Sequence, residues 1–212
     1  MALVLYCGNK RYSSWSLRAY LALAHTGAPF DVRTVWLDRE DTQTELAKIG
    51  PASRVPVLHD GSLVIWDSLA ICEYVAEVFP AAQLWPAETA RRARARSIAC
   101  EMHSGFAAIR RDMSMDLLGQ RHGVGHTPDA LADAARAMAI WRNELDHSGG
   151  PFLFGEFTIA DAMFAPVTTR LVTYGVARDA AVQRYIDTIA ELPAFTLWRD
   201  GATTEPELPD HH

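Results

Sequence analysis

The sequence predicts a mixed α/β unit over residues 1–80 and an all-helical unit over residues 88–212, joined by a linker at 81–87. Three observations carry this reading. In the first third, short apolar or alternating runs exchange places with stretches of helical spacing. Beyond Glu88 no strand signal recurs. Between the two lies a segment bracketed by Pro80 and Pro86, as a linker would be.

The elements follow in order. Leu3 to Tyr6 is apolar and short, a first strand. Ser14 to about His25 places Leu17, Tyr20, Leu21 and Ala24 on one helical face. Phe30 to Trp36 alternates and is rich in β-formers, giving a second strand. Asp38 to Ile49 is a weaker helix. Pro56 to His59 and Leu63 to Ile65 flank Asp60-Gly61, a hairpin signal. Asp67 to Phe79 returns to helical spacing through Leu69, Cys72, Val75 and Phe79. The order βαβ, helix, ββα is the pattern of a thioredoxin-like unit. Further on, Thr89 to Gly119 reads as one long helix, followed by helices at Pro128–Asp146, Thr158–Tyr174 and Ala180–Ala190, which together make a bundle.

Composition bounds the function. A chain of 212 residues suits two small domains, and 49% hydrophobic with 22% charged residues is ordinary for a folded protein. A net charge of −6 argues against non-specific nucleic-acid binding. No apolar run approaches the ~20 residues that span a bilayer. The first residues lack the layout of a secretory signal, and Cys7, Cys72 and Cys100 are odd in number and widely spaced, so a reducing, cytoplasmic location is expected. The histidines show no metal-ligand spacing, His122-Gly-Val-Gly-His126 included, and no metal is expected. His211 and His212 have the character of a tag remnant and carry no functional weight. The run Arg91 to Arg96 reads as a solvated or subunit-facing helix surface.

Four stretches carry a resemblance: Tyr12-Ser-Ser-Trp-Ser-Leu-Arg18, Gly50-Pro-Ala-Ser-Arg-Val-Pro-Val-Leu58, Trp66-Asp-Ser-Leu-Ala-Ile-Cys-Glu-Tyr74 and Phe154-Gly-Glu-Phe-Thr-Ile-Ala-Asp161. In this order and at these spacings, over nearly the whole chain, they resemble the cytosolic glutathione transferases. Ser13-Ser14 with Arg18 is most similar to the zeta class, which includes maleylacetoacetate isomerases. That class reads Ser-Ser-Cys-x-x-Arg, and Trp15 stands at the Cys position. Glu101 to Phe106 resembles a group of bacterial transferases of undefined substrate. The resemblance implies the glutathione transferase fold, glutathione as co-substrate, a small hydrophobic electrophile as second substrate, and a homodimer.

The nucleophile of such chemistry is a thiolate. Holding a thiol of pKa ~8.5 ionised at pH 7 requires a shift of roughly two units, about 2.7 kcal/mol. A helix start supplies about 0.3–2 kcal/mol and a hydroxyl donating to the anion roughly 1.5–3 kcal/mol. Ser13 and Ser14, entering the first helix, are the candidate donors, with the Trp15 N–H as an auxiliary; the competing reading of Ser14 is an ordinary helix cap. By resemblance, Val55 precedes a cis proline and offers its backbone to the glutathione cysteine, with Arg54 nearby or merely solvated. Asp67 and Ser68 open a helix and are both cap and candidate holders of the γ-glutamyl group. Thr158 and Asp161 form a capping box, a folding element. Cys7 leaves open a thiol reductase or peroxidase, and a binding protein without turnover is the third possibility. His103, Met113 and Met115 are assigned to the long helix bordering the second-substrate pocket.

Overall fold

The computed structural model describes residues 3–206, so His211 and His212 lie outside the described residues. β1 (Leu3–Cys7) runs parallel to β2 (Phe30–Thr34), joined through α1 (Ser14–His25). β3 (Val57–Asp60) pairs antiparallel with β1, and β4 (Leu63–Trp66) antiparallel with β3, giving the order β2-β1-β3-β4. α2 (Thr42–Ile49) and α3 (Ser68–Val78) complete this half. β2 is shorter than its alternation suggests. Val35 has left the strand; it turns into a small core, while its N–H still reaches the Cys7 carbonyl at 2.7 Å. The hairpin turn is also displaced: Asp60 pairs with Leu63, so Gly61 and Ser62 form the turn rather than Asp60-Gly61. Gly61, at φ 60°, takes the first central position, where a positive φ suits glycine.

Successive strand residues face opposite ways, and the two faces of this sheet differ. Under α2 sits a small cluster of Val35, Leu46, Ile49 and Val57. On the face carrying α1 and α3, Leu5, Leu17, Leu21, Leu58 and Ile71 belong to one core that continues into Ile98, Trp141, Phe164 and Trp198 of the helical half. Leu17 and Leu21, one helical turn apart and fully buried, contribute roughly 1.5–3 kcal/mol each. α1 is therefore wedged between the sheet and the bundle.

After a 3₁₀ turn at Pro80–Ala82 the chain is helical: α4 (Thr89–Ser104), α5 (Ala107–Asp112), α6 (Pro128–Ser148), α7 (Ile159–Thr173), α8 (Ala180–Ala190) and α9 (Pro193–Thr203). The single helix expected from Thr89 to Gly119 does not form. It breaks at Gly105 and Phe106, where Phe106 is left-handed at φ 57° and a Cβ on Gly105 would stand 2.8 Å from the Glu101 carbonyl oxygen. Met113 and Met115 follow α5 as buried residues of irregular chain, so the assignment of both to the long helix is corrected. α9 was not foreseen; Pro193 at its first turn and Phe195, Trp198 and Ala202 on its buried face were the available signals. The arginine run is largely exposed, as a solvated surface would be, and also bonds within its own chain: Arg91 donates to the Phe154 carbonyl, Arg92 to those of Pro86 and Ala87, Arg94 pairs with Glu144 and Arg96 with Glu73.

α7 begins at the capping box of Thr158 and Asp161. The Asp161 carboxylate is wholly buried and accepts from the Leu153 and Thr158 N–H groups, the Thr158 hydroxyl and the Tyr185 hydroxyl. Burial outweighs these four donors and lifts its pKa to about 6.

Candidate active site

The loop between β1 and α1 is fixed from several directions. The Asn9 carbonyl accepts the N–H groups of Tyr12 and Ser13 at 3.1 and 2.8 Å, and the Asn9 amide oxygen accepts the Leu37 N–H at 2.9 Å. From the helical half, the Trp198 indole donates to the Lys10 carbonyl at 2.8 Å, the Leu117 N–H donates to the Arg11 carbonyl at 3.0 Å, and Arg11 pairs with Asp116 at 2.6 Å. Gly8 allows the close approach this demands, since a Cβ there would lie 2.7 Å from Leu37 and 3.1 Å from the Ser13 side chain.

At the end of this loop the cap position belongs to Ser13, which corrects the reading of Ser14 as cap; Ser14 is the first residue of α1. The Ser13 side chain does not cap the helix. Its Oγ donates to Ser16 Oγ at 2.8 Å, and Ser16 Oγ accepts the Gly8 N–H at 3.0 Å. Ser14 is equally buried, and no hydrogen bond engages its hydroxyl among the described residues. Both serines line a cavity of about 680 Å³, together with Tyr12, Trp15, Arg54, Val55, Arg110 and Arg170. A second cavity of about 490 Å³ adjoins it, sharing Trp15, Ala52, Arg54 and Val55 and adding Trp66, Asp67, Ser68 and His103. The five binding candidates, Trp15, Arg54, Val55, Asp67 and Ser68, thus meet in one cleft beside the two serines.

The Val55–Pro56 bond is cis, as the resemblance implied. Val55 lies outside β3, and neither its N–H nor its carbonyl is hydrogen-bonded among the described residues. Asp67 caps α3 by accepting from Leu69 and Ala70 at 2.9 and 3.2 Å through Oδ1, at a left-handed φ of 75°. Its Oδ2 lies 3.2 Å from His103 Nε2. Among the described residues, Ser68 Oγ and His103 Nδ1 are buried without partners. Trp15 lines both cavities, its ring 4.4 Å from the Arg18 guanidinium, 4.5 Å from that of Arg110 and edge-on to His103 at 5.3 Å. Cys7 is fully buried behind the loop, and desolvation pushes its thiol up to about 12. Such a thiol supplies no thiolate at neutral pH, which removes the basis for a reductase or peroxidase built on it. Cys72 is likewise core. Among the described residues no group of three or more His, Cys, Asp or Glu side chains converges as a metal site, and no helix is long and apolar enough to cross a membrane.

Models of the glutathione S-transferase N-terminal and C-terminal domains match residues 12–78 and 89–201. The chain belongs to the glutathione S-transferase family. It is 29% identical over 197 residues to a probable maleylacetoacetate isomerase of Caenorhabditis elegans, covering 91% of this chain and 90% of that one. It is 30% identical over 199 residues to the maleylacetoacetate isomerase of Pseudomonas aeruginosa, covering 86% of this chain and 90% of the relative. Among solved structures, a Burkholderia glutathione transferase homologue with bound glutathione superposes with a TM-score of 0.74 at 26% identity, covering 97% and 100% of the two chains. The fold is that of glutathione transferases, and the chain is an enzyme of that family.

Several residues around this candidate site of the transferase-family chain escape a reading of the sequence alone. Ser16, which orients Ser13, shows itself only as a serine three residues on, at the i,i+3 spacing of one helix face. Arg110 and Arg170 come from different helices, and only folding brings them to the same cavity.

Proposed function

We propose that this chain binds glutathione along the two joined cavities and holds its sulfur as a thiolate at the start of α1, for conjugation to a small electrophile or for glutathione-assisted isomerisation of the maleyl type. The observation that carries the proposal is the helix start itself. Ser13 occupies the cap position without capping, so the positive end of α1 faces an open cavity with serine hydroxyls beside it. In the chain Gly8 N–H, Ser16 Oγ, Ser13 Oγ, Ser16 has a proton of its own to turn toward Ser13, freeing the Ser13 proton for the sulfur. Each member then polarises the next. Ser14 is the second candidate, because its hydroxyl is unengaged and lines the same cavity.

The remaining contacts follow from the cleft. Val55 offers its free N–H and carbonyl to the cysteine residue as one short strand. The buried Ser68 hydroxyl and the start of α3 receive the γ-glutamyl carboxylate, and Asp67 the neighbouring ammonium. The joined volumes of about 680 and 490 Å³ leave room for a tripeptide lying across both and for a small partner beside it, each within the roughly 300–1,000 Å³ usual for ligand sites. The division at residues 80–88, with the first part holding glutathione and the second shaping the other pocket, belongs to the same proposal, as do the homodimer and the cytoplasmic location.

Retention on immobilised glutathione, followed by assays with a maleyl-type isomerisation substrate, aryl halides, peroxides and disulfides, tests it. Retention with turnover of one electrophile class supports the proposal. Retention without turnover of any class would leave a binding protein, and no retention would refute the glutathione site.

A further inference from the structure

Apart from the cleft at α1, a cavity of about 410 Å³ opens between the start of α4 and the end of α6, with Leu153 and Phe154 as its apolar wall. Its polar side centres on Glu144, which is 5% exposed. Arg94 grips this carboxylate lopsidedly. Its Nε and Nη2 both donate to Oε1, at 2.9 and 2.7 Å, and the Asn143 side-chain amide brings a third donor to the same oxygen at 2.9 Å. Oε2 receives none among the described residues, yet it is not closed off from solvent. Elsewhere in the molecule the guanidinium fork spans both carboxylate oxygens, as Arg136 does on Glu101, Arg111 on Asp112 and Arg96 on Glu73. That is the usual geometry of such pairs. At Glu144 the fork has moved onto one oxygen, and the other is left for a donor from outside. Cations border the same space. Arg91 Nη2 donates to the Phe154 carbonyl at 2.7 Å, which lays the guanidinium 6.0 Å from the Phe154 ring centre. Its Nε and Nη1, and Nη1 of Arg94, have no partner among the described residues. A lone cation entering here would meet two like charges, and a lone anion would meet the carboxylate. A molecule that carries both charges side by side satisfies the two at once.

We propose that this cavity is a binding site for a free α-amino acid with an apolar side chain. The ammonium donates to Glu144 Oε2, the carboxylate accepts from the free N–H groups of Arg91 and Arg94, and the side chain lies along Leu153 and Phe154. Charge-assisted hydrogen bonds fix the polar end, and the wall removes the apolar end from water. The cavity, at about 410 Å³, falls within the roughly 300–1,000 Å³ usual for ligand sites. It shares no lining residue with the cavities beside Ser13 and Asp67, so it stands or falls separately from the glutathione reading.

Calorimetric titration of the wild-type chain with L-phenylalanine, phenethylamine and 3-phenylpropanoate tests the proposal and needs no variant to be folded. L-Phenylalanine is expected to bind saturably with a Kd of roughly 1 mM or tighter. Each analogue lacks one of the two charged groups and should bind at least about tenfold more weakly. Glu144→Gln should weaken L-phenylalanine by at least about tenfold while 3-phenylpropanoate, which has no ammonium, stays within roughly threefold of its wild-type Kd. Arg91→Met, at an exposed position, should weaken both. Asp67→Asn separates this cavity from the proposed γ-glutamyl pocket, which would also accept an α-amino group. Unchanged binding in that variant supports the proposal, and lost binding overturns it. Equal affinity for all three compounds would overturn it too, as would no binding of any, the result expected if a second copy of the chain covers this face.

Discussion

α1 and α3 both begin at a small polar residue beside the same cleft, and they treat it in opposite ways. At α3, Asp67 turns its carboxylate back onto the Leu69 and Ala70 N–H groups and closes the helix. At α1, Ser13 stands in the equivalent place and turns its hydroxyl sideways to Ser16, leaving the helix without a side-chain cap. A cap contributes about 1 kcal/mol to stability, and α1 forgoes it. The packing of Leu17 and Leu21 in the shared core lets the helix form regardless. Residue type at a helix start therefore does not separate folding from chemistry; the direction in which the side chain points does. α7 completes the contrast, its capping box sealed within the core and away from the two cavities.

Substitutions at these three starts should separate accordingly. The largest effect is expected at the sealed one. Asp161→Ala strips partners from two buried backbone N–H groups and two hydroxyls and should cost about 3 kcal/mol in urea unfolding, with glutathione affinity of the folded fraction unchanged. The sign of its pH dependence is fixed: the folded pKa of about 6 lies above the ordinary carboxylate value, so the wild-type contribution to stability is fullest below about pH 4 and falls as the pH rises through about 6. Thermal unfolding between those values would check this against the variant, in which that slope should vanish.

At the open start the loss should appear in turnover instead. Ser13→Ala is expected to lower kcat/KM by at least about tenfold, about 1.4 kcal/mol, and to raise the pKa of bound glutathione read from thiolate absorbance. If Ser14→Ala produced both effects and Ser13→Ala neither, the role would pass to Ser14. α3 should combine the two behaviours more weakly: Asp67→Ala removes a cap of about 1 kcal/mol and weakens glutathione binding, whereas Asp67→Asn keeps the cap and loses only the charge. The smallest effect is expected at Cys7. In the native protein a disulfide reagent should label the exposed Cys100 and spare the buried Cys7 and Cys72; rapid labelling of Cys7 would reopen a thiol-based reaction.

Much of this was legible in the sequence. The crossover from β1 to β2, the start of α3 at Asp67 and the box at Thr158 each rest on local residue chemistry, and local chemistry survives in the chain. The break at Gly105 and Phe106 was not legible, because a left-handed phenylalanine is imposed by tertiary packing and has no sequence signature. Ser13 and Ser14 were recognisable as a pair, yet which of them sits at the cap depends on one residue of register. Arg18 lies within an apolar helix and gives no hint of complete burial. Arg110 and Arg170 converge only because α5 and α7 approach the same cavity.

The indole of Trp198 and the backbone of Leu117 grip the turn that carries the serines, although both belong to the half of the molecule to which the proposal gives no sulfur contact. The chemistry of the first domain is thus built against a mould provided by the second. A fragment ending before α4 would lack that mould, and a late lesion in α9, remote in the chain, would be felt first as a misplaced hydroxyl.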